Sequence, residues 1–328
     1  MAIFTLGNLA SALAPSYVAL LGARFVSGLP HGIYFGVGSV VATALVPPHR
    51  RGRAVAANLA GLTVANVIGV PLATSLGQHF GWRSAYWFVA AIGALTIIAI
   101  WRFVPAIPAA DSANARRELT ALARPQIWLA CLTGAIGFGG FFGVYSYIAP
   151  ILTDVTGWPP SAVPYALVVF GLGMTVGNLV GGRVIDRSVM GALYGSFTAM
   201  LAVLLVFPFA AQATWSAVSV VFLLGATGMA TVPALQARLM DVAREAQSLA
   251  ASMNHSALNT GNAIGPFLSG VAIDQGLGWT STAWVGSALA AGGLVFVVVS
   301  SVLSRHADSG EAHGGVSRGR CAGQARSG

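Results

Sequence analysis

The sequence predicts an all-α polytopic membrane protein. More than half of its 328 residues are apolar (56%), only 8% are charged, and the mean hydropathy is +0.76. Apolar runs of about 20 residues, the length that a helix needs to cross a bilayer, recur along the whole chain. A transmembrane β-barrel would instead show short segments of alternating hydropathy. We therefore expect a bundle of membrane-spanning helices.

Ten apolar spans can be distinguished along the chain. To within a few residues, they cover 1–13, 17–45, 54–76, 83–103, 126–153, 161–182, 189–211, 214–237, 247–272 and 280–304. The first span is too short to cross a bilayer as a helix, because a crossing needs about 17–25 residues. This short span is the first indication of a chain that begins inside a longer protein.

The stretch 54–82 is repeated at 250–279. An offset of 196 residues (265 − 69) pairs Asn58 with Asn254, Leu62 with Leu258, Asn66 with Asn262, and Gly69 with Gly265. In each copy the two asparagines and the leucine between them lie four positions apart, so they share one face of a helix. In a bilayer such amides must face protein or a wet cavity. The repeat predicts two pseudo-symmetric helical halves.

The same offset predicts a missing segment. The second half begins near Gln126, so its counterpart would begin about seventy residues before Met1 (126 − 196 = −70). That length accommodates two further membrane helices of about 20 residues each with their loops. We therefore expect the chain to be an N-terminally truncated or mis-started copy of a two-halved protein.

The net charge of +8 comes from arginine alone, and the sequence contains no lysine. The arginines are dispersed between apolar runs, which is not the basic face that nucleic-acid binding requires. Fifteen of the seventeen lie in alternate connections, including those of Arg50, Arg116, Arg187 and Arg244. The positive-inside rule places these connections, and the C-terminal tail, in the cytoplasm.

Arg24 is the one arginine in the interior of an apolar span, whereas Arg83 and Arg102 lie at the two ends of the span 83–103. An intramembrane cation costs about 2.5–3.5 kcal/mol even on the lenient insertion scale, so it requires a partner or water. The acidic residues all lie outside the spans. The partner of Arg24 is therefore a polar or carbonyl group, or a carboxylate on a helix that precedes this chain.

Further polar and aromatic residues are candidates for lining a central cavity. They are His31, Asn58, Asn66, Tyr145, Asn254, His255, Asn259 and Asn262. For the asparagines, hydrogen bonding between helices is an equally good interpretation. Tyr145 either stacks on a ligand or lies at the membrane surface. For His31 and His255 simple packing is the better interpretation, although each could titrate near neutral pH.

These motifs resemble those of the major facilitator superfamily, and within it the drug:proton antiporters that include arabinose-efflux-like and chloramphenicol-resistance permeases. Arg24-Phe-Val-Ser-Gly28 is similar to that family's fourth-helix arginine motif. The segment from Gly61 through Gly69-Val-Pro71 is similar to its fifth-helix antiporter motif. The segment from Gly182 to Asp186-Arg187 is similar to its Gly-x-x-x-Asp-Arg loop motif, although the trailing basic run is missing.

The resemblance implies a major facilitator fold with about ten of its twelve helices present. Residues 1–103 would form the remainder of the N-terminal half, helices three to six of the family fold. Residues 104–125 would form a cytoplasmic linker, 126–304 the C-terminal six-helix half, and 305–328 a disordered cytoplasmic tail. The loop motif would form a tight cytoplasmic turn in which Asp186 pairs with arginines or helix ends.

The function that the resemblance implies is secondary active transport, namely proton-coupled efflux of a small, largely apolar compound by alternating access. Arg24, Gly61, Gly69 and Pro71 would serve coupling and the closing of helix contacts. The expected partners are the substrate, protons and the lipid bilayer, with no nucleic acid, metal or cofactor. The expected state is a monomer in the bacterial inner membrane.

Two other functions compete with transport. A truncated, non-transporting remnant would act only as a membrane-inserted structural or partner protein. An intramembrane enzyme would bring clustered His, Asp, Glu or Cys residues, whereas His31 and His255 lie far apart in the sequence with no acid nearby. We therefore expect no enzymatic activity.

Overall fold

The computed structural model of the chain is all-helical. It describes residues 1–30, 34, 38, 41, 45–47, 61, 64–105, 120, 122–243 and 246–324, without the side chains of 247, 248 and 305–324. Within these residues, six helices are long and apolar enough to cross a membrane. The predicted all-α membrane fold is confirmed.

Ten helices organise the described residues. They are α1 (Ala2–Leu13), α2 (Tyr17–Gly28), α3 (Val70–Phe80), α4 (Arg83–Phe103), α5 (Pro125–Tyr145), α6 (Val163–Ile185), α7 (Val189–Ala210), α8 (Thr214–Ala243), α9 (Gln247–Ala272) and α10 (Ser281–Gln324). A π-helical turn at Ala65–Gly69 precedes α3, a second lies within α5 at Thr133–Gly137, and a third at Ile273–Leu277 follows α9.

The helices follow the predicted spans with four differences. Helix α2 ends at Gly28, and Leu29 and Pro30 form a turn inside the predicted span 17–45. The fifth span is broken after Tyr145 and resumes as two short helical segments, Ile148–Pro150 and Ile151–Val155. Helix α8 continues to Ala243, past the predicted end at 237. Helix α10 continues to Gln324, past the predicted end at 304, and the disorder expected for 305–328 stays a prediction.

Helix α5 lies between α9 and α10 because its glycines remove the side chains that would separate the backbones. A Cβ added at Gly139 would lie 3.4 Å from the carbonyl oxygen of Gly261 on α9. A Cβ added at Gly137 would lie 3.0 Å from the Cα of Gly293 on α10. These glycines of α5 therefore form two close helix contacts, one with α9 and one with α10.

A polar cluster ties α5, α8 and α10 together at one end. The Arg238 guanidinium on α8 donates to the Gln126 side-chain oxygen (3.2 Å) and to the hydroxyls of Ser300 (2.9 Å) and Ser304 (2.8 Å). Ser300 in turn donates to Gln126 (2.8 Å). All three acceptors are uncharged, and together they anchor the end of α8 between its two neighbours.

The N-terminal helices meet the C-terminal helices along α3 and α6. A Cβ added at Gly171 on α6 would lie 2.7 Å from the backbone oxygen of Asn66, in the π-helical turn before α3. Toward the end of α3, the Gln78 amide donates to the carbonyl of Pro160, just before α6 (2.8 Å). This seam joins the N-terminal helices to the C-terminal helices.

Candidate coupling and substrate site

Arg24 lies on α2, eight residues after the N-cap Ser16 (24 − 16). At 1.5 Å per residue it is about 12 Å along the helix from its start. Its Nη1 donates to Oδ1 of Asn8 on α1 at 3.0 Å, and its guanidinium carbon lies 5.4 Å from the centroid of the Tyr86 ring on α4. Both of these partners are uncharged. The sequence left three kinds of partner open for Arg24: a polar group, a carbonyl group or a carboxylate. In the structure, the partners are the polar side chain of Asn8 and the aromatic ring of Tyr86.

Helices α1 and α2 are in close contact beside Arg24. A Cβ added at Gly7 would lie 2.9 Å from the Cα of Ser27, so only glycine fits there without movement. The Ser27 hydroxyl donates to the Arg24 backbone carbonyl at 2.9 Å. The arginine therefore emerges from a tightly packed helix pair.

A row of contacts leads from Arg24 to the turn before α4, with two aromatic rings between two arginines. The Tyr86 ring meets Trp82 edge to face, with centroids 5.8 Å apart. The guanidinium of Arg83 lies 4.4 Å from the Trp82 centroid and donates to the carbonyl of Ala14 at 2.9 Å. Trp82 and Tyr86 also line a shallow, open groove of about 360 Å³ between α3 and α4.

The residues that match the antiporter motif lie around the start of α3. Pro71 is buried two residues after the π-helical turn Ala65–Gly69, in a helix that runs on from that turn without a break. Gly69 is half-buried, and a Cβ added there would meet only the Ala65 Cβ at 3.8 Å. Gly61 is exposed with open space around it. In this region, the backbone of Asn66 and Val67 makes a tight contact at Gly171.

Tyr145 is stacked within the protein. Its ring lies nearly parallel to Phe170 on α6, with centroids 4.5 Å apart, and meets Phe142 at right angles at 5.6 Å. One ring face is therefore already covered by Phe170. Because Gly171 directly follows Phe170, this stack lies next to the contact between α6 and the turn before α3.

The asparagines of α9 occupy three different environments. Asn254 is buried (2% exposed), its amide donates to Oε1 of Gln236 on α8 at 2.7 Å, and its Oδ1 has no hydrogen-bond partner. Asn262 is half-buried with a buried, unpartnered Oδ1, and Asn259 is exposed. His255 is half-buried. A buried oxygen without a donor is a place where water or a substrate N–H or O–H would bind.

The loop motif lies at the end of α6. Gly182, Asp186 and Arg187 are all exposed, and a Cβ added at Gly182 would meet nothing within 4 Å. The Arg183 side chain donates to the Leu179 carbonyl in the last turn of the helix at 3.3 Å. That bond stays within one helix, and the expected pairing of Asp186 with arginines or helix ends stays a prediction.

Of the predicted residues, His31 and Asn58 lie outside the described part of the chain. The others divide into the Arg24 group, the contact region around Asn66 and Tyr145, the face of α9, and the loop. Asn8, Tyr86 and Gln236 were not predicted. Asn8 and Gln236 could have been found as amides inside apolar helices, whereas nothing in the sequence places Tyr86 next to Arg24.

The sequence profile of the Major Facilitator Superfamily matches residues 1–254. The chain belongs to the major facilitator superfamily. It is 40% identical to the inner membrane transport protein YdhP of Escherichia coli K12 over 301 residues. The aligned region covers 92% of this chain and 77% of YdhP. It is also 32% identical to the chloramphenicol resistance protein of Streptomyces lividans over 292 residues, 88% of this chain and 74% of that protein.

Two solved structures of major facilitator transporters share the fold. One is FucP in its outward conformation, with 17% identity, a TM-score of 0.61, and coverage of 91% of this chain and 80% of that one. The other is a bacterial homologue of the human lysosomal transporter Spinster, in an inward-facing conformation. It has 18% identity, a TM-score of 0.59, and coverage of 91% of this chain and 79% of that one. The predicted fold and superfamily are confirmed.

Membership of the superfamily makes this chain a multi-pass membrane transport protein. Such a protein lies in a lipid bilayer and binds a small-molecule substrate. The interpretation as a transporter is therefore confirmed at that level. The roles assigned to individual residues stay predictions.

Proposed function

We propose that this protein exports a small, largely apolar compound in exchange for protons, by alternating access between its two halves, and that Arg24 takes part in the coupling. The observation that carries the proposal is the environment of Arg24. Its described partners are a neutral amide and an aromatic ring, so the guanidinium is positioned without being neutralised.

A cation held in this way changes the energy of any carboxylate or anionic group that approaches it. An opposite charge within about 4–6 Å favours the charged form of an acid, so such a group would be stabilised in its charged form beside Arg24. Asn8 accepts a bond from one of the five N–H groups of the fork. The Arg24 guanidinium is planar and has further N–H donors, so it can bind a second acceptor. A transient coupling partner would be that second acceptor.

The substrate class is supported by the composition of the helices and by one relative. The groove beside Tyr86 is lined mainly by apolar and small residues. The relative from Streptomyces lividans carries the name of a resistance protein for chloramphenicol, a compact neutral compound. The seam between α3 and α6 supports alternating access, because its close contacts join the N-terminal and C-terminal helices.

The test compares the chain with its Arg24→Lys variant in everted vesicles of an efflux-deficient host, with chloramphenicol, ethidium and a compound panel as probes. Lysine keeps the charge but loses the planar fork, so we expect normal insertion and melting temperature with at least about tenfold slower proton-driven transport. Unchanged transport with a lowered melting temperature would leave Arg24 a purely structural role.

The same assay separates export from the remnant hypothesis, and it is run with and without any in-frame sequence found upstream of Met1. Two apolar segments and a Gly-x-x-x-Asp-Arg loop in that sequence are expected if the chain is truncated. Transport by neither form, for any probe and despite normal insertion, would favour a membrane-inserted remnant.

The proposed orientation and oligomeric state have their own tests. The connections of Arg50, Arg116 and Arg187 and the C-terminal tail are proposed to be cytoplasmic in the bacterial inner membrane. A cysteine placed at Arg51 should then be protected from an impermeant reagent in intact cells. The proposed monomer should give the mass of one chain by light scattering in detergent.

A further inference from the structure

We propose that Asn8 and Tyr86 are positioning residues that hold the Arg24 guanidinium in its working orientation while leaving its charge uncompensated. This inference rests on the coupling role proposed above for Arg24. It extends that role to two residues on different helices, α1 and α4.

Asn8 is almost completely buried (1% exposed), and both ends of its amide are used. Its Nδ2 donates to the Phe4 carbonyl one turn earlier on α1, at 2.8 Å. Its Oδ1 accepts from Nη1 of Arg24 at 3.0 Å. Because the nitrogen end is held by a backbone carbonyl, the oxygen end is fixed toward the arginine.

The neutral amide has a consequence that neither an apolar residue nor a carboxylate would reproduce. Leucine has a similar volume but would remove the acceptor from Arg24. Aspartate would keep an acceptor but would neutralise the cation, because an ionised carboxylate forms a charge-assisted bond with a guanidinium. Asparagine orients the Arg24 guanidinium and leaves its full positive charge available to another group.

Tyr86 acts on the same guanidinium from α4. Its ring centroid lies 5.4 Å from the guanidinium carbon, within the range of a cation–π interaction. The ring is itself held by Trp82, which it meets at an interplanar angle of 87°. Like Asn8, the ring face attracts a cation without cancelling its charge. The Tyr86 hydroxyl is not needed for this contact.

The arrangement spans three helices whose spacing is set by close contacts at two glycines. Gly7, next to Asn8, touches Ser27, which bonds to the Arg24 carbonyl. On the α4 side, a Cβ added at Gly93 would lie 3.3 Å from the Cβ of Thr5 on α1. A small shift of α1 against α2 or α4 would therefore move the acceptor and the ring relative to the cation.

The variants that test this inference are Asn8→Leu, Asn8→Asp, Tyr86→Phe and Tyr86→Leu, measured beside Arg24→Lys. Ser11→Ala is the matched control. Ser11 is fully buried on α1 like Asn8, but its hydroxyl donates to the Gly7 carbonyl at 2.7 Å rather than to Arg24. Each variant is assayed for membrane insertion, melting temperature and the pH dependence of proton-driven efflux, with the first probe that the unsubstituted chain exports.

We expect Asn8→Leu to lower the maximal transport rate about tenfold, because the fork loses its fixed acceptor. We expect Asn8→Asp to keep the melting temperature and to move the pH profile of efflux, since the added carboxylate titrates against Arg24. Tyr86→Phe should transport normally, and Tyr86→Leu should not. Ser11→Ala should leave the rate and the pH profile unchanged. In a double variant, Asn8→Leu should add little to Arg24→Lys, because both act through one group.

The outcomes separate this inference from the proposed function. Absence of efflux by the unsubstituted chain, or normal efflux by Arg24→Lys, refutes the coupling role and the positioning role together. Slow efflux by Arg24→Lys with normal rates and pH profiles in both Asn8 variants and in Tyr86→Leu refutes the positioning role alone. If Asn8→Leu does not fold, the pH profile of Asn8→Asp and the contrast between the two Tyr86 variants decide the question.

Discussion

Gly265→Ala and Gly69→Ala form a matched pair of perturbations, because the repeat aligns the two glycines while the structure packs them differently. A Cβ added at Gly265 would lie 2.8 Å from the carbonyl carbon of Gly139 and 2.9 Å from the amide nitrogen of Gly143, both on α5. A Cβ added at Gly69 would meet only the Ala65 Cβ, at an ordinary 3.8 Å. The same methyl group should therefore have opposite effects at the two positions.

The magnitude follows from these distances. Carbon atoms pack best about 3.5–4.0 Å apart, so α9 would have to move at least roughly 0.7 Å away from α5, and further still to clear the carbonyl oxygen of Gly139, which is the nearest atom. Both obstructing atoms belong to the backbone, so no side-chain rotation relieves the contact. Overpacking of this kind costs about 1–3 kcal/mol, against about 1 kcal/mol gained when alanine replaces glycine in a helix. We expect Gly265→Ala to destabilise by up to about 2 kcal/mol and Gly69→Ala to stabilise by up to about 1 kcal/mol.

The assay is thermal unfolding of the purified protein in detergent, followed by size-exclusion chromatography of the heated samples. Gly265→Ala should melt at a lower temperature than the unsubstituted chain, and Gly69→Ala at the same or a higher one. Equal melting temperatures for the two variants would refute the close contact between α9 and α5. Because Gly69→Ala should stay folded, a loss of efflux in that variant would support a role for Gly69 in helix motion.

Three further predictions follow from contacts between helices. Tyr145→Phe should keep the ring stack and the melting temperature, whereas Tyr145→Ala should destabilise by about 2–4 kcal/mol; equal loss in both would show that the hydroxyl matters instead. Gln78→Ala removes an exposed bond to the Pro160 carbonyl, so unfolding should change by less than about 1 kcal/mol. Spin labels on α3 and α6 should nevertheless show a larger open population, and an unchanged distance distribution would contradict a gating role. Arg238→Ala removes three hydrogen bonds and should lower stability by about 2–4 kcal/mol, with partial recovery in Arg238→Lys; a melting temperature like that of the unsubstituted chain would contradict an anchoring role.

Local physics explains how far the sequence predicted the site. Arg24 could be identified because a charge in an apolar helix is costly wherever its partners lie. The face shared by Asn254 and Asn262 could be identified because helical periodicity is a local property. Asn8 and Tyr86 could not be assigned, since their importance depends on which helices pack beside α2, and that is decided by contacts distant in sequence.

Tyr145 shows the same limit from the other direction. A ligand contact and a position at the membrane surface were both reasonable for a tyrosine near a helix end. The structure instead stacks the ring on Phe170, twenty-five residues further along the chain (170 − 145). No periodicity within α5 contains that information, because the partner belongs to another helix.

By itself, the sequence determined that this protein is a multi-pass helical transporter of the major facilitator superfamily. Span length, hydropathy and the order of the motifs are properties of the chain that any packing must respect. Only the tertiary structure decided which glycines are contact points. Gly265 and Gly69 occupy equivalent places in the repeat, yet only Gly265 is pressed against a neighbouring backbone. The physical reason is that close packing depends on the shape of both helices at the contact, and a sequence pattern describes one helix at a time.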